Sequence, residues 1–475
     1  MLPDAHPTPG TTRIEADALA DGFGLDVQGG VGILLEHDNS GGLTIRAVGP
    51  LAQTRRVGRA DRVIDRAGCV LIPGLVNAHT HLDLTHLGPR PFDPAGGFSG
   101  WIDMVRNGRE NDAQRIAQSV RTGVDLARRG GTVLIGDIAG AVAGRASSAA
   151  TIALRDACAQ TGLHAVSYVE FFAQGTRWPD ALAHTWHVIG QLQHACAGAA
   201  PLGRVIVGAQ PHAPYSVALA AYAGILAHAR TGPAIMPICT HLAESLDESE
   251  LITHARGNLR DLLQSVGVWD ELTSNSFGHG RSPVQHLHAA GLLCPQLGLV
   301  HLNAMSAQDA ELVRQSSAPI AYGPRASAYF HAPQTLGRHR YGQLLPTLAL
   351  GTDSAINIPP DDLAERGLSV LDEARLLCRR DNLDPAQALA AATSGGERFL
   401  LGQARRSQLR FAPGATLLGL AAVACGGRQT TNKQIVNEQN DNQQAEKNNN
   451  IYSAAALVMS STSPAELLLT GRLEF

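Results

Sequence analysis

Short apolar runs alternate with longer amphipathic segments through the middle of the chain. Eight runs occur there: Val70–Val76, Thr132–Asp137, Ala165–Glu170, Val205–Ala209, Ile235–Cys239, Leu297–Val300, Ala318–Tyr322 and Thr347–Gly351. The segments between them, such as Ala113–Arg129 and Asp180–Ala195, repeat apolar residues at the spacing of an α-helix. Eight strands that alternate with helices predict an α/β fold of the (β/α)8, or TIM, barrel type over residues 68–395.

The two ends of the chain have a different pattern. Residues 1–67 and 396–475 contain short β-prone runs separated by turn residues, which predict a small β-sandwich formed jointly by the N- and C-terminal segments. Just before the second of these segments, Asp361–Arg379 predicts one helix, and Asp384 predicts the N-cap of another. Residues 428–450 are mostly Gln, Asn, Lys and Glu, which predicts a disordered insertion.

Side chains that bind metals or carry protons follow five of the eight apolar runs. They are His79 and His81 after the first run, His212 after the fourth, His241 and Glu244 after the fifth, His301 after the sixth and Asp353 after the eighth. Residues at positions i and i+2 of a strand point to the same face, so His79 and His81 aim into one space. Barrel enzymes build their sites at the carboxyl ends of the strands, so these residues predict a metal-dependent active site.

The chemistry of these side chains narrows their roles. One divalent ion would be held by His79, His81, Asp353 and a third histidine. Zn²⁺ is the first choice for this ion, and Fe²⁺ is the second. The third ligand is either His241 or His212. Glu244 follows His241 by three residues, where its carboxylate faces the water on the metal as a general acid and base. This spacing favours His241 as the ligand and leaves His212 on the substrate side.

The motifs around these residues resemble the amidohydrolase superfamily, in its mononuclear deaminase and chlorohydrolase-like branch. Within residues 55–400 they are Pro-Gly-Leu-Val-Asn-Ala-His79-Thr-His81-Leu, Pro-His212-Ala-Pro-Tyr-Ser, His241-Leu-Ala-Glu244-Ser, Val-His301-Leu-Asn and Leu-Gly-Thr-Asp353-Ser. The resemblance implies the metal ligands His79, His81, His241 and Asp353. It also implies that Glu244 passes a proton from the water to the substrate ring, that His301 positions or polarises the hydroxide, and that Asp353 helps to protonate the leaving amine.

The number of metals follows from the lysines. Binuclear members of the superfamily bridge their metals with a carbamylated lysine, whereas the only lysines of this chain are Lys433 and Lys447, near its C-terminus. We therefore expect one metal. The implied reaction is hydrolytic deamination, in which a metal-activated hydroxide attacks an amino-bearing carbon of a heterocycle or nucleoside and ammonia leaves.

Two other functions remain open at this point. An amidohydrolase or chlorohydrolase reaction on a carbon–nitrogen or carbon–halogen bond would use the same scaffold. A non-catalytic scaffold is the remote alternative, since it predicts eroded ligands and every candidate ligand is present.

The substrate is less clearly indicated than the reaction. Trp101, in the loop after the first run, is a candidate to stack on a heterocycle or to pack a lid helix. Arg325, after the seventh run, is a candidate to bind a carboxylate or phosphate of the substrate, or else a surface acid. The sequence around His79 and Trp101 looks closest to aminofutalosine deaminases.

Composition limits the partners and the compartment. The 38 basic and 42 acidic residues give a net charge of -4, so a small-molecule substrate is expected and nucleic acid is not. No apolar run is long enough to span a membrane, and the N-terminus lacks the layout of a signal peptide. The seven cysteines are scattered without a Cys-x-x-Cys pair, which favours a reducing cytoplasm over a disulfide framework. A homo-oligomer is left open.

Overall fold

The computed structural model describes residues 9–198, 202–231, 236–330, 344, 347–402, 407–425 and 453–472. The insertion predicted at residues 428–450 lies outside these residues. The described residues form fourteen strands: β1 Gly10–Ala20, β2 Asp26–His37, β3 Leu43–Pro50, β4 Arg62–Pro73, β5 Leu75–Thr80, β6 Thr132–Ala139, β7 His164–Phe171, β8 Val205–Pro211, β9 Ile238–Leu242, β10 Leu297–His301, β11 Ile320–Tyr322, β12 Leu348–Leu350, β13 Gly419–Ala424 and β14 Ala465–Thr470.

Helices connect the strands and flank the sheets. Their bounds are Leu51–Val57, Gly97–Gly108, Ala113–Arg129, Ala149–Thr161, Trp178–Cys196, Leu219–Thr231, Leu246–His254, Asn258–Ser265, Glu271–Ser274, Pro283–Ala289, Ala307–Ser316, Pro324–Tyr329, Pro360–Arg366, Val370–Asp381, Pro385–Ala390, Gly396–Leu401 and Ala454–Ser460. Two 3₁₀ turns lie at Leu82–Leu87 and Gly175–Arg177, and a π-helical turn lies at Ala391–Gly395. Among the described helices, none combines the length and apolar character that crossing a membrane requires.

The eight central strands form one parallel sheet in sequence order, from β5 to β12. An isolated parallel bridge between Thr80 and Asp353 joins the two outermost strands and closes the sheet. Almost every residue of these strands is buried, as expected of strands covered by side chains within the barrel and by helices outside it. The predicted (β/α)8 barrel is therefore confirmed.

Both ends of the chain contribute to a second sheet of six strands, in the order β14-β13-β4-β1-β2-β3. Strands β1 and β4 are parallel, and the other neighbours are antiparallel. Ile14, Leu35, Leu71 and Leu420, from four different strands, pack in a single apolar cluster of this sheet. The predicted pairing of the C-terminal segment with the N-terminal strands is confirmed.

The first apolar run belongs to both sheets, which the sequence did not indicate. Its first part ends β4 at Pro73, and its second part begins the first barrel strand, β5, at Leu75. Gly74 lies between the two parts. A side chain does not fit at this position, because a Cβ there would lie 2.3 Å from Val133. The first barrel strand thus extends to Thr80 rather than ending at Val76.

The segment after the last barrel strand also differs from its prediction. The expected single helix Asp361–Arg379 is two helices, Pro360–Arg366 and Val370–Asp381. Gly367 ends the first of them with φ 64°, a left-handed conformation that glycine adopts at low cost. The prediction for Asp384 is confirmed, since its side chain accepts the backbone N–H groups of Ala386 and Gln387.

Candidate metal centre and active site

Closure of the barrel brings the first and last strands of the sheet together at the predicted site. The backbone N–H of Asp353 donates to the carbonyl of His79 at 3.0 Å, and that of His81 donates to the carbonyl of Asp353 at 2.7 Å. One layer below, the amide side chain of Asn77 donates to Thr352 Oγ1 at 2.8 Å and accepts the Thr352 N–H at 3.1 Å. These contacts fix Asp353 relative to His79 and His81 although the last strand is 275 positions from the first, counted between Asn77 and Thr352.

The ligand-type atoms of five residues converge above this closure. Within each of two groups the atoms lie no more than 4.8 Å apart: His79, His81 and His241, and His79, His301 and Asp353. The Oδ1 atom of Asp353 lies 3.3 Å from His79 Nε2 and 3.9 Å from His81 Nε2. All five side chains are buried. This set of imidazoles and one carboxylate is able to hold a divalent metal.

Four residues at the rim of the cluster have left-handed backbone conformations that are uncommon for residues other than glycine. They are Ala243 at φ 51°, His301 at φ 76°, Leu302 at φ 57° and Asp353 at φ 62°. Such conformations cost free energy and persist where the surrounding structure imposes them, often at functional sites. Here each follows or ends a barrel strand and redirects the chain at the cluster.

Burial favours the neutral form of three histidines of the cluster, His81, His241 and His301. Burial is the main cause that lowers the pKa of His81 to about 3, the pKa of His301 to about 3 and the pKa of His241 well below its ordinary value. Within the described residues, both ring nitrogens of His79, Nδ1 of His81 and Nε2 of His301 have no hydrogen-bond partner. Buried polar nitrogens are normally satisfied, so these orphaned atoms fit a metal and its water.

The pKa values of the two central carboxylates, Asp353 and Glu244, are shifted in opposite directions. Burial by itself raises the pKa of Asp353, but its contact with His79 and the neighbouring histidines outweigh this and bring its pKa below the ordinary value. Burial raises the pKa of Glu244 well above its ordinary value, and nearby Asp353 and Glu248 raise it further. Asp353 is thus an anion suited to a metal, and Glu244 is an acid suited to proton transfer.

Glu244 faces the same space from the end of β9. Its Oε1 lies 3.5 Å from His301 Nε2, and its backbone carbonyl accepts Asn303 Nδ2 at 3.0 Å. Since both groups are buried, their contact is protected from solvent. Glu244 and His301 are therefore close enough to act together on one water molecule or one substrate atom.

His212, predicted to lie on the substrate side, is next to the cluster. Its ring centroid is 5.1 Å from that of His241 and 4.7 Å from that of Phe172. Its Nδ1 makes a 2.7 Å hydrogen bond with Ser216 Oγ, and burial lowers the pKa of His212 to about 4. The ring is thus a fixed, neutral group at the edge of the site.

The other two predicted substrate residues have internal partners. Trp101 stacks on Phe98 with ring centroids 5.6 Å apart and meets Phe330 edge-on at 5.0 Å. Arg325 Nε donates to Glu373 Oε1 at 2.6 Å, and Arg325 Nη2 donates to the carbonyl of Ser369 at 2.9 Å. The packing of Trp101 is compatible with a lid helix, and the ion pair of Arg325 favours a structural role over contact with a substrate.

Three charged residues near the site had no role in the sequence-based prediction. Glu170 ends the third apolar run, and its position at a barrel strand end was a usable signal. Arg109 lies in a loop and pairs with Glu170 at 2.7 Å, and Glu248 lies on a helix and binds the backbone of Glu244. Nothing local in the sequence distinguishes Arg109 or Glu248 from surface residues.

Comparison with known proteins gives consistent matches to one group. The model of the amidohydrolase family matches residues 70–401. A 5-methylthioadenosine/S-adenosylhomocysteine deaminase of Syntrophobacter fumaroxidans is 27% identical over 372 residues, which cover 75% of this chain and 73% of that protein. An aminodeoxyfutalosine deaminase of Deinococcus radiodurans is 26% identical over 346 residues, 71% of this chain and 75% of that protein.

Among solved structures, the fold is shared with a zinc-bound adenosine deaminase of Xanthomonas campestris. The TM-score is 0.69 at 20% identity, and the match covers 98% of this chain and 92% of that one. At this identity the likeness concerns the fold.

Proposed function

The chain belongs to the amidohydrolase family, and we propose that it is a metal-dependent hydrolytic deaminase of a nucleoside or another amino-substituted heterocycle. The observation that carries the proposal is a buried cluster of histidines and an aspartate that is able to hold a metal, next to the acid Glu244. The two curated relatives described above are deaminases of adenosine derivatives, which makes an adenosine derivative the first substrate to test.

One divalent ion would be held by three histidines and a carboxylate, from His79, His81, His241 and Asp353. Zn²⁺ suits this donor set best, and Fe²⁺ is the second choice. When bound, such an ion acidifies water and supplies a nucleophile at neutral pH.

The protein's own groups manage the protons of the reaction. Glu244, protonated through burial, exchanges a proton between its carboxyl oxygen and a ring nitrogen of the substrate. His301 Nε2, which has no hydrogen bond to the described residues, orients the attacking water. Asp353, kept anionic by its histidine neighbours, takes up a proton from the attacking water and passes it to the departing amine, which leaves as ammonia.

Exclusion of bulk water supports these transfers. Glu244, His301 and Asp353 are each less than a tenth exposed, so charges formed during the reaction meet fixed protein dipoles rather than solvent. Next to them, His212 contacts the part of the substrate that does not react. Trp101 would add an aromatic surface if its helix bounds the substrate.

Ammonia release from zinc-loaded protein tests the proposal, with adenosine, 5'-methylthioadenosine, 5'-deoxyadenosine, adenine and cytosine as substrates. Ammonia from at least one of them is expected. A Glu244→Gln protein should keep its metal and lose turnover, because the amide cannot transfer a proton. Release of chloride from a chlorinated heterocycle, or cleavage of an amide, without ammonia from any amine would favour the alternative hydrolase reaction. The cytoplasmic location and the oligomeric state stay predictions.

A further inference from the structure

Glu170 is a buried carboxylate at the end of β7. One of its oxygens, Oε2, accepts hydrogen bonds, and the other, Oε1, is called here the open oxygen. Oε2 accepts Arg109 Nη1 at 2.7 Å and the backbone N–H of Ala141 at 3.1 Å. Within the described part of the chain, no hydrogen bond to Oε1 is present. Only 2% of the residue is exposed, so this open oxygen belongs to the interior and not to the protein surface.

The open carboxylate lies beside the substrate side of the metal cluster. Ligand-type atoms of Glu170, His212 and His241 are all within 4.8 Å of one another. His241 belongs to the metal cluster, where the reacting ring must bind, whereas His212 lies at its edge. A group next to His212 therefore meets the part of the substrate that adjoins the reacting ring.

Arg109 fixes both the position and the charge of Glu170. The Arg109 side chain is 15% exposed, and its Nε also lies 3.4 Å from Asp83 Oδ2, so the guanidinium is held on two sides. Burial alone would raise the pKa of Glu170, but Arg109 and the histidines His212 and His81 lower it to about 2. The carboxylate is thus an anion with a fixed orientation, and the positive charge beside it disfavours a second cation there.

We propose that Glu170 determines substrate specificity by accepting a hydrogen bond from a sugar hydroxyl of the nucleoside, with Arg109 as its positioning residue. This inference rests on the proposed deaminase function. A buried charged acceptor discriminates strongly against a ligand that lacks the matching hydroxyl, because the acceptor is then left unpaired.

The Glu170→Gln substitution tests this directly. Two donors, Arg109 Nη1 and the N–H of Ala141, face Oε2 and will select the amide oxygen of glutamine. The amide NH₂ then takes the open position, so an acceptor is replaced by a donor of nearly the same size. The experiment compares kcat/KM for adenosine, 2'-deoxyadenosine and 3'-deoxyadenosine in the wild-type and Glu170→Gln proteins.

The wild-type protein should lose about 10- to 100-fold in kcat/KM when one of the two hydroxyls is removed. The Glu170→Gln protein should show almost no such preference, and its kcat/KM for the deoxy substrate should match that of the wild type. Arg109→Lys should weaken the preference in the same direction, since its amine cannot reproduce the fixed guanidinium contact. Glu250→Gln, at a half-exposed acid in the helix Leu246–His254, is the matched control.

Other outcomes overturn the inference. Equal loss on all three nucleosides means that Glu170 acts on the reaction as a whole, and loss of bound metal from Glu170→Gln means that it is a ligand. If the wild type releases no ammonia from any nucleoside, the deaminase proposal fails. Equilibrium binding of the same three nucleosides to a Glu244→Gln protein then decides the subsite separately: equal or absent binding refutes it, and a hydroxyl preference abolished by Glu170→Gln supports it.

Discussion

Glu248 accepts the backbone N–H of Glu244 on its Oε2 at 2.9 Å, and its Oε1 accepts the N–H of Ala243 at 3.1 Å. The carboxylate of Glu248 is fully buried and holds a peptide segment whose Ala243 is in the left-handed conformation. From the other side, Asn303 binds the Glu244 carbonyl at 3.0 Å. The orientation of the Glu244 side chain therefore depends on a second acid that does not itself reach the metal cluster.

Replacement of Glu248 with glutamine should lower kcat more than it changes KM. The amide offers one acceptor to two N–H groups, so one buried donor faces an NH₂ group and loses its partner, at a cost of about 1–3 kcal/mol. Glu244 then samples other positions, and we expect kcat to fall by about 10- to 100-fold. Steady-state kinetics measures the change, and Glu250→Gln on the same helix should leave both constants as they are. An unchanged kcat in folded Glu248→Gln protein would contradict the positioning role.

Removal of the metal should cost both activity and stability. Within the described residues, His79 Nδ1 and Nε2, His81 Nδ1 and His301 Nε2 have no hydrogen-bond partner, so a metal and its water would stabilise the native state by binding it selectively. Chelator treatment is expected to abolish turnover and to lower the unfolding temperature, and Zn²⁺ should restore both. His81→Asn should hold less metal by elemental analysis, whereas His187→Asn, on an exposed helix position, should hold as much as the wild type. Full activity in metal-free protein would exclude the proposed centre.

Gly351 should be intolerant of a side chain. A Cβ there would lie 2.6 Å from the carbonyl oxygen of His79 and 2.8 Å from its N and Cβ, at the closure of the barrel. Since O and N are backbone atoms and Cβ is attached directly to the backbone, they cannot move aside cheaply, and Gly351→Ala should lose about 1–3 kcal/mol of stability together with metal affinity. Gly190→Ala is the matched control, because its Cβ meets open space within a helix and should stabilise by about 0.5–1 kcal/mol. Urea unfolding and metal titration report the two effects.

The parts of the site that the sequence predicted are those that depend on local pattern alone. His79, His81, His241 and Asp353 each follow an apolar run, and parallel strands of a barrel share one carboxyl edge. Their convergence therefore required only the recognition of eight runs. The exact limits of the first barrel strand could not be predicted in this way. They involve the close approach of Gly74 to Val133, which is distant in sequence.

The pairing of the charged groups around the site could not be predicted in this way, because the partners are distant in sequence. Arg109 and Glu170 are 61 positions apart, and their pairing follows from how a loop folds over the barrel mouth. Arg325 is a case in which local position leaves two interpretations open: its place after the seventh apolar run suggested a substrate contact, whereas its contacts within the protein favour a structural role. The buried Glu373 that binds it lies 48 positions further along the chain.

The ion pair of Arg325 with Glu373 gives a prediction that separates its two interpretations. Glu373 is fully buried, so Arg325→Met leaves an unpaired buried carboxylate and should destabilise the protein by about 3–5 kcal/mol. The double variant Arg325→Met, Glu373→Met should recover much of this loss, and both should keep the wild-type KM. Chemical unfolding and kinetics on the folded fraction measure the two quantities. A tenfold or larger rise in KM with little loss of stability would instead place Arg325 at the substrate.

His164 should make the stability of the protein depend on pH. It begins β7, where Nε2 lies 2.9 Å from the carbonyl of Gly471 and Nδ1 accepts the N–H of Arg204 at 3.2 Å, which fixes the neutral tautomer with the proton on Nε2. Burial lowers the pKa of His164 to about 4, against an ordinary value of 6.5. Between these two pH values the unfolded chain binds a proton that the folded protein does not.

The contribution of His164 to the free energy of unfolding is therefore fully present above pH 6.5, declines as the pH falls, and is lost near pH 4. The loss integrates to about 3 kcal/mol, with a slope that approaches 1.4 kcal/mol per pH unit. In His164→Gln, the amide does not titrate, so its stability deficit relative to wild type should shrink between pH 7 and pH 5 as the wild type loses this contribution. Urea unfolding at several pH values measures the deficit, with His288→Gln as a control that removes an exposed imidazole. A deficit that stays constant over this range would show that protonation of His164 is not coupled to unfolding.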